Sequence, residues 1–140
     1  MGIKFRLTIM SFLQFFVWGA WLITVGNYWF ATKQWSGAEF GAIFSTLGLS
    51  SIVMPALTGI IADKFMNAER LYGILHIISG VILLYIPQVE DPITFYWVIF
   101  GAMLCYMPTI SLSNSVAYNI LKQTISMSSK YFRQSASGAR

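Results

Sequence analysis

The spacing of the charges constrains this chain most. Among 140 residues there are only nine Lys or Arg and five Asp or Glu, and they are not scattered. Arg6 to Lys33, Glu39 to Asp63, Arg70 to Glu90 and Asp91 to Lys122 each enclose a run without Asp, Glu, Lys or Arg. Each run is close to or above the ~20 residues a helix needs to cross the hydrocarbon of a bilayer. A helix closes its own backbone hydrogen bonds, which lipid cannot do for it. The spacing therefore predicts an all-α membrane protein with four transmembrane helices, over 7–30, 37–62, 69–86 and 93–121. Residues 122–140 read as a polar, Ser-rich, basic cytoplasmic tail.

Composition agrees. Charged residues make up 10% of the chain, against about a quarter in a soluble domain, and 56% are hydrophobic. A chain this short has no soluble core that could hide so much apolar surface, so the bilayer is its solvent. The first apolar run resembles a signal peptide only in Lys4 and Arg6. It is too long, is rich in Trp and Phe, and lacks a small-x-small cleavage site, so it is expected to stay as a span.

Turn chemistry marks the helix ends. Ser36 and Glu39 have capping-box spacing for the second helix, Asn67 can cap the third, and Pro87 falls where the third should stop. Asp91 before Pro92 suits an N-cap and first turn for the fourth. Lys4, Arg6, Lys64, Arg70, Lys122, Lys130, Arg133 and Arg140 fall on one side and Lys33 alone on the other. By the positive-inside rule both termini are cytoplasmic. These cations are spread over loops and form no continuous groove, so nucleic acid is not an expected partner.

The helix faces carry the candidate residues. Gly41, Ser45, Gly48, Pro55 and Gly59 lie near one stripe of the second helix, where tight helix packing or a flexible bend at Pro55 can be read. Gln14, Trp18, Trp21 and Tyr28 follow near-helical spacing on the first. Ser111, Asn114 and Tyr118 do the same on the fourth, beside Met107 and Pro108. Amides at membrane depth need partners or water, so Gln14 and Asn114 read equally as substrate-cavity groups or as interhelical hydrogen-bonding groups. Tyr28 reads as part of an interfacial aromatic belt. His76 could relay protons or donate a hydrogen bond to a neighbouring helix. Cys105 stands alone, so no intramolecular disulfide is possible, and it reads as a small apolar packing group. No metal site, cofactor or enzymatic motif is expected: HExxH, a phosphate-binding glycine loop and a nucleophile–base–acid set are missing.

Four charges, Asp63, Lys64, Glu69 and Arg70, crowd into the second turn. Gly59 and Asp63 share a helix face, so another helix could approach Gly59. Asp63 could then meet that helix's positive N-terminus or pair with Arg70. The series Gly59-x-x-x-Asp63-Lys64 with Arg70 resembles the loop signature of the major facilitator superfamily. The usual glycine and basic cluster is replaced by Phe65-Met66-Asn67-Ala68. The stretches SFLQFFVWGAWL (11–22), MPALTGIIADK (54–64) and AMLCYMPTISLSN (102–114) resemble the nucleoside:proton symporter family, with the resemblance running from about Lys4 to Gln123.

That resemblance implies the first four helices of a twelve-helix carrier in the cell inner membrane, with nucleoside and proton as substrates and the substrate held between two six-helix halves. It implies a conformational-coupling role for Gly59, Asp63, Lys64 and Arg70. It also implies that this chain alone does not transport, and that the remaining helices or another membrane protein are needed. Members of the family continue with a segment like FPPIRVWGT, which opens helix five and carries an arginine that contacts nucleoside. Phe132 to Arg140 can be back-translated so that another frame reads Pro-Pro-Ile-Arg-Val-Trp-Gly-Thr. A frameshift near Lys122 to Thr124 is therefore expected in the coding DNA, and otherwise a disordered cytoplasmic extension. The alternatives are a small oligomeric membrane protein, disfavoured because the first helix has no carboxylate, and a partner-binding membrane fragment without transport activity.

Overall fold

The computed structural model describes residues 2–137. It consists of four long helices: α1 (Ile3–Asn27), α2 (Gly37–Lys64), α3 (Ala68–Tyr85) and α4 (Pro92–Ser137). A π-helical turn, Tyr28–Thr32, extends α1, and a 3-10 turn, Ile86–Gln88, follows α3. All four are long and apolar enough to cross a membrane.

The turns follow local chemistry. Asp91 Oδ1 accepts the amides of Ile93 and Thr94 at 3.1 and 3.0 Å, capping α4 as its position suggests. The Ser36 capping box does not close in its usual form. Its hydroxyl donates to Glu39 Oε2 at 3.0 Å instead of accepting a backbone amide. Asn67 starts α3 through its backbone carbonyl, which accepts the amides of Arg70 and Leu71, and not through its side chain. α3 gives way to the 3-10 turn at Ile86, one residue before Pro87, whose ring disfavours a helical predecessor. Between α1 and α2 the chain reverses at Gln34, whose φ of 54° lies in the left-handed region, and the Trp29 indole N–H donates to the Ser36 carbonyl at 2.9 Å.

α4 sits at the centre. Its most apolar window is 44% buried, against 11–17% for the other three helices, because α2 and α3 pack along it on separate faces. Two apolar clusters result. One, near the α1–α2 turn, gathers Val25, Trp29, Ile43, Phe95, Ile99 and Met103. The other, near the α2–α3 turn, gathers Leu71, Leu75 and Leu112 with Ile61, Met66 and Cys105 beside them. Ser79 on α3 donates to the Ala102 carbonyl of α4 at 3.1 Å. Large apolar side chains outside the clusters, such as Ile23, Ile52 and Leu84, are more than three-quarters exposed. This is the inverted surface expected where lipid is the solvent.

Two expectations are corrected. The stripe Gly41–Ser45–Gly48–Gly59 on α2 packs against nothing within these four helices. A Cβ added at Gly41, Gly48 or Gly59 would meet no atom within 4 Å, and α2 uses Ile43, Thr46, Ser50 and Thr58 for its buried face. The fourth helix does not stop at Leu121. It runs on to Ser137, because no Gly or Pro stands between Pro108 and Gly138 to end it. Residues 122–137 of the tail are thus helical, where one reading was a disordered cytoplasmic extension. Residues 138–140, the end of the stretch read in a second frame, lie outside the described residues.

Hydrogen bonds from the Thr94 hydroxyl and amide hold the Asp91 carboxyl below the ordinary aspartate value. A lowered folded-state value means that the cap stabilises fully above the ordinary pKa and is lost as pH falls through the lowered one. Asp91→Ala should therefore destabilise the chain in lipid at neutral pH. Its deficit against wild type should shrink below roughly pH 4. Asp91→Asn should keep most of the cap and lose the pH dependence. Thermal unfolding in bicelles at both pH values checks this, and an equal Asp91→Ala deficit at both would contradict it.

Candidate functional site

The polar interior is built around Gln14. It is one of two buried residues of α1, the other being Val25. Moving an amide into a medium that offers no partner costs about 4–8 kcal/mol, so it must be satisfied here by protein. Its Nε2 donates to Thr109 Oγ1 at 3.0 Å. Its Oε1 accepts the Tyr72 hydroxyl at 2.9 Å. Its backbone carbonyl accepts the Tyr106 hydroxyl at 2.6 Å. Thr109 donates in turn to the Tyr106 carbonyl at 2.6 Å. One side chain of α1 thus joins α3 and α4.

Aromatic rings surround this hub. Trp18 lies parallel to Tyr106, with centroids 5.6 Å apart and planes 7° from coplanar. Trp21 packs beside Trp18 at 6.0 Å. His76 packs on Tyr72 at 4.4 Å and meets Tyr106 edge-on at 5.7 Å. Its Nδ1 lies 3.1 Å from the Tyr72 carbonyl. A carbonyl only accepts, so this contact assigns the proton to Nδ1 and leaves Nε2 of the neutral ring as an acceptor. Gln14, Tyr72 and His76 line a groove of about 620 Å3 between α1 and α3, with Arg6 at its end.

The candidates on α4 face elsewhere. Ser111 and Tyr118 line a separate polar cleft of about 530 Å3, together with Gly59, Asp63, Asn119 and Gln123. Asn114 is exposed and lines neither cavity. Of the turn signature, Gly59 and Asp63 line the cleft, while Lys64 and Arg70 point outward, exposed. Asp63 and Arg70 do not form an ion pair. Tyr28 stacks on Phe95 at 6.1 Å, with the Lys33 ammonium 5.8 Å above its ring. Among the described residues no His, Cys, Asp and Glu side chains cluster as metal ligands.

Sequence reasoning singled out Gln14 and His76 but not Tyr72, Tyr106 or Thr109. The signal was present in part: Tyr72 and His76 are four apart on α3, and Tyr106 and Thr109 three apart on α4, so each pair shares a helix face. Which faces meet depends on helix rotation. Gln14→Leu should strand the Tyr72 hydroxyl and remove the donor to Thr109 Oγ1, while the Tyr106 hydroxyl keeps the backbone carbonyl of residue 14; the cost should be about 1–3 kcal/mol, the usual penalty for buried polar groups left unpaired. Tyr72→Phe, which removes one interhelical bond, should cost nearer ~0.6 kcal/mol. Reversible unfolding in mixed micelles separates the two, and equal costs would contradict a hub centred on Gln14.

The comparisons with known proteins agree with this architecture. The family model described as nucleoside H+ symporter matches residues 1–132. The chain is 46% identical over 123 residues to xanthosine permease of Escherichia coli (strain K12), covering 88% of this chain and 29% of that protein. It is 44% identical over 118 residues to nucleoside permease NupG of the same organism, covering 84% and 28%. A crystal structure of a mutant nucleoside transporter NupG superposes with a TM-score of 0.84 at 42% identity, over 88% of this chain and 31% of that one. The chain thus spans under a third of the length of these relatives. With four apolar spans and this family match, it is a multi-pass membrane protein, and it belongs to the nucleoside H+ symporter family.

Proposed function

We propose that this chain supplies four helices to a carrier that moves nucleosides across the inner membrane together with protons. The family match over residues 1–132 carries the reading. The geometry supports it in two places. Trp18 and Trp21 set aromatic rings at membrane depth, positioned by the buried Gln14, which suits a flat ligand. Ser111, Asn114 and Tyr118 present a polar face of α4 toward the space outside these helices, where the other half of such a carrier stands. Both termini and the α2–α3 turn lie on the cytoplasmic side, following the basic residues. His76, which lines the α1–α3 groove, is the side chain to which we assign a proton relay. The second reading is a membrane component that acts by docking on another membrane protein. The open faces of α1 and α2 favour it.

A chimera tests the main reading. Residues 4–123 of this chain replace the aligned segment of xanthosine permease in a strain without nucleoside uptake. Labelled nucleosides should enter, and a protonophore should abolish entry. The 140-residue chain alone should give no uptake. An inserted chimera inactive toward every nucleoside would contradict the family-level reading, and protonophore-sensitive uptake by the chain alone would contradict its dependence on further helices.

A further inference from the structure

α4 is longer than the bilayer it crosses. Its 46 residues measure roughly 69 Å at 1.5 Å per residue, against about 40–45 Å for hydrocarbon and both headgroup layers. Counted from Pro92, the first charge on the helix, Lys122, comes after roughly 45 Å. Lys122 therefore stands at the headgroups, and the helix goes on beyond it to Ser137 for roughly another 23 Å. Residues 121–130 are exposed without exception. A short helix without tertiary packing is marginal in water, and Ser and Thr are weak helix formers. At the membrane edge the Thr124 hydroxyl donates to the Ile120 carbonyl at 2.9 Å, a back-bond that weakens and bends helices. A segment that stays helical beyond that point needs a surface to lie on.

The face it offers is basic beside apolar. After Asp91 the chain has no Asp or Glu, and its charges are Lys122, Lys130, Arg133 and Arg140. Lys122, Ser126 and Lys130 follow at four-residue steps and share one stripe. Leu121 and Ile125 form the stripe next to it, 45% and 69% exposed. This is the pattern of a helix lying in the plane of a membrane interface, its apolar side chains at the acyl boundary and its ammonium groups among phosphates.

We propose that the end of α4 folds down at Thr124 and binds the anionic phospholipid headgroups of the leaflet it emerges from. In the cell this is the cytoplasmic leaflet, which rests on the placement of the termini given above. Charge complementarity selects this surface, since that leaflet carries a negative potential that attracts juxtamembrane basic segments. The attraction fades within a Debye length, about 8 Å at physiological ionic strength. On a straight helix Lys130 stands roughly 12 Å beyond Lys122, out of its reach. When the segment lies down, both ammonium groups meet phosphates, and Leu121 and Ile125 leave water.

Depth measurements in nanodiscs test this. The full 140-residue chain with Cys105→Ala carries a nitroxide on Ile125→Cys, or as a control on Ile52→Cys of α2, where Ile52 is 76% exposed. The discs hold phosphatidylcholine alone or phosphatidylcholine mixed with phosphatidylglycerol. In the mixed discs the label at position 125 should become several-fold less accessible to a water-soluble nickel relaxant. The amides of residues 124–130 should exchange several-fold more slowly there. In phosphatidylcholine alone both should stay open to water. Lys122→Gln and Lys130→Gln should each weaken the bound form about fivefold. Salt at about 1 M, with a Debye length of about 3 Å, should abolish it. The label at position 52 should keep its depth throughout. Equal protection in the two lipids, or protection that survives both lysine substitutions, would overturn the proposal. So would protection by inorganic phosphate in phosphatidylcholine alone, which would make the ligand a free anion and not a membrane surface. The discs carry the same lipid on both faces and uptake is not measured, so failure here is distinct from a wrong placement of the termini and from failure of the chimera.

Discussion

Burial of apolar surface places these helices in the bilayer but cannot hold them to one another, because lipid tails are as apolar as leucine. Close packing and buried hydrogen bonds must do that. For α2, α3 and α4 packing suffices, since α4 lies between the other two along much of its length. α1 has no such neighbour. What fixes its rotation is Gln14, whose side-chain amide bonds to Thr109 and Tyr72 and whose backbone carbonyl accepts the Tyr106 hydroxyl, reaching two other helices. The position of Trp18 against Tyr106 follows from that rotation, and so does the α3-side groove where Gln14 and His76 meet.

The molecule has two different ends. Near the α1–α2 turn, Trp29, Trp35 and Phe95 form a mutual triad with centroids 4.6 to 5.4 Å apart. The indole bond to Ser36 and the Lys33 ammonium over Trp35 close that end. Near the α2–α3 turn the helices part, and Gly59, Asp63, Ser111 and Tyr118 border an open polar cleft. Gly59 has free space beyond its Cα, and Asp63 has no ionic partner among the described residues. Here they form a surface, as do the faces of α1.

The four spans were legible because the fourteen charges leave long uncharged runs between them, and a helix that crosses lipid keeps its charges toward its ends. The Asp91 cap was legible because it depends on residues two and three positions away. The Ser36 box was not, because Glu39 offers the hydroxyl a carboxylate acceptor of its own. The polar tail misled, since polarity alone does not stop a helix, and no Gly or Pro interrupts residues 109–137. The hub was half legible. Gln14 and Asn114 look alike in sequence, an amide on an aromatic-rich helix, yet one is 1% exposed and the other open. Only the rotation of each helix against its neighbours separates them, and that is a property of packing across the bundle.

Spin labels report that rotation directly. In the full chain in lipid bilayers, one pair is placed on the exposed positions Phe12 of α1 and Ile77 of α3, and a second on Ile52 of α2 and Trp97 of α4. Pulsed electron resonance should give a single narrow distance for each pair. Introducing Gln14→Leu should broaden the α1–α3 distribution and leave the α2–α4 distribution as it was. An α1–α3 distance that stays narrow and unmoved without the amide would contradict the claim that Gln14 sets the position of the first helix.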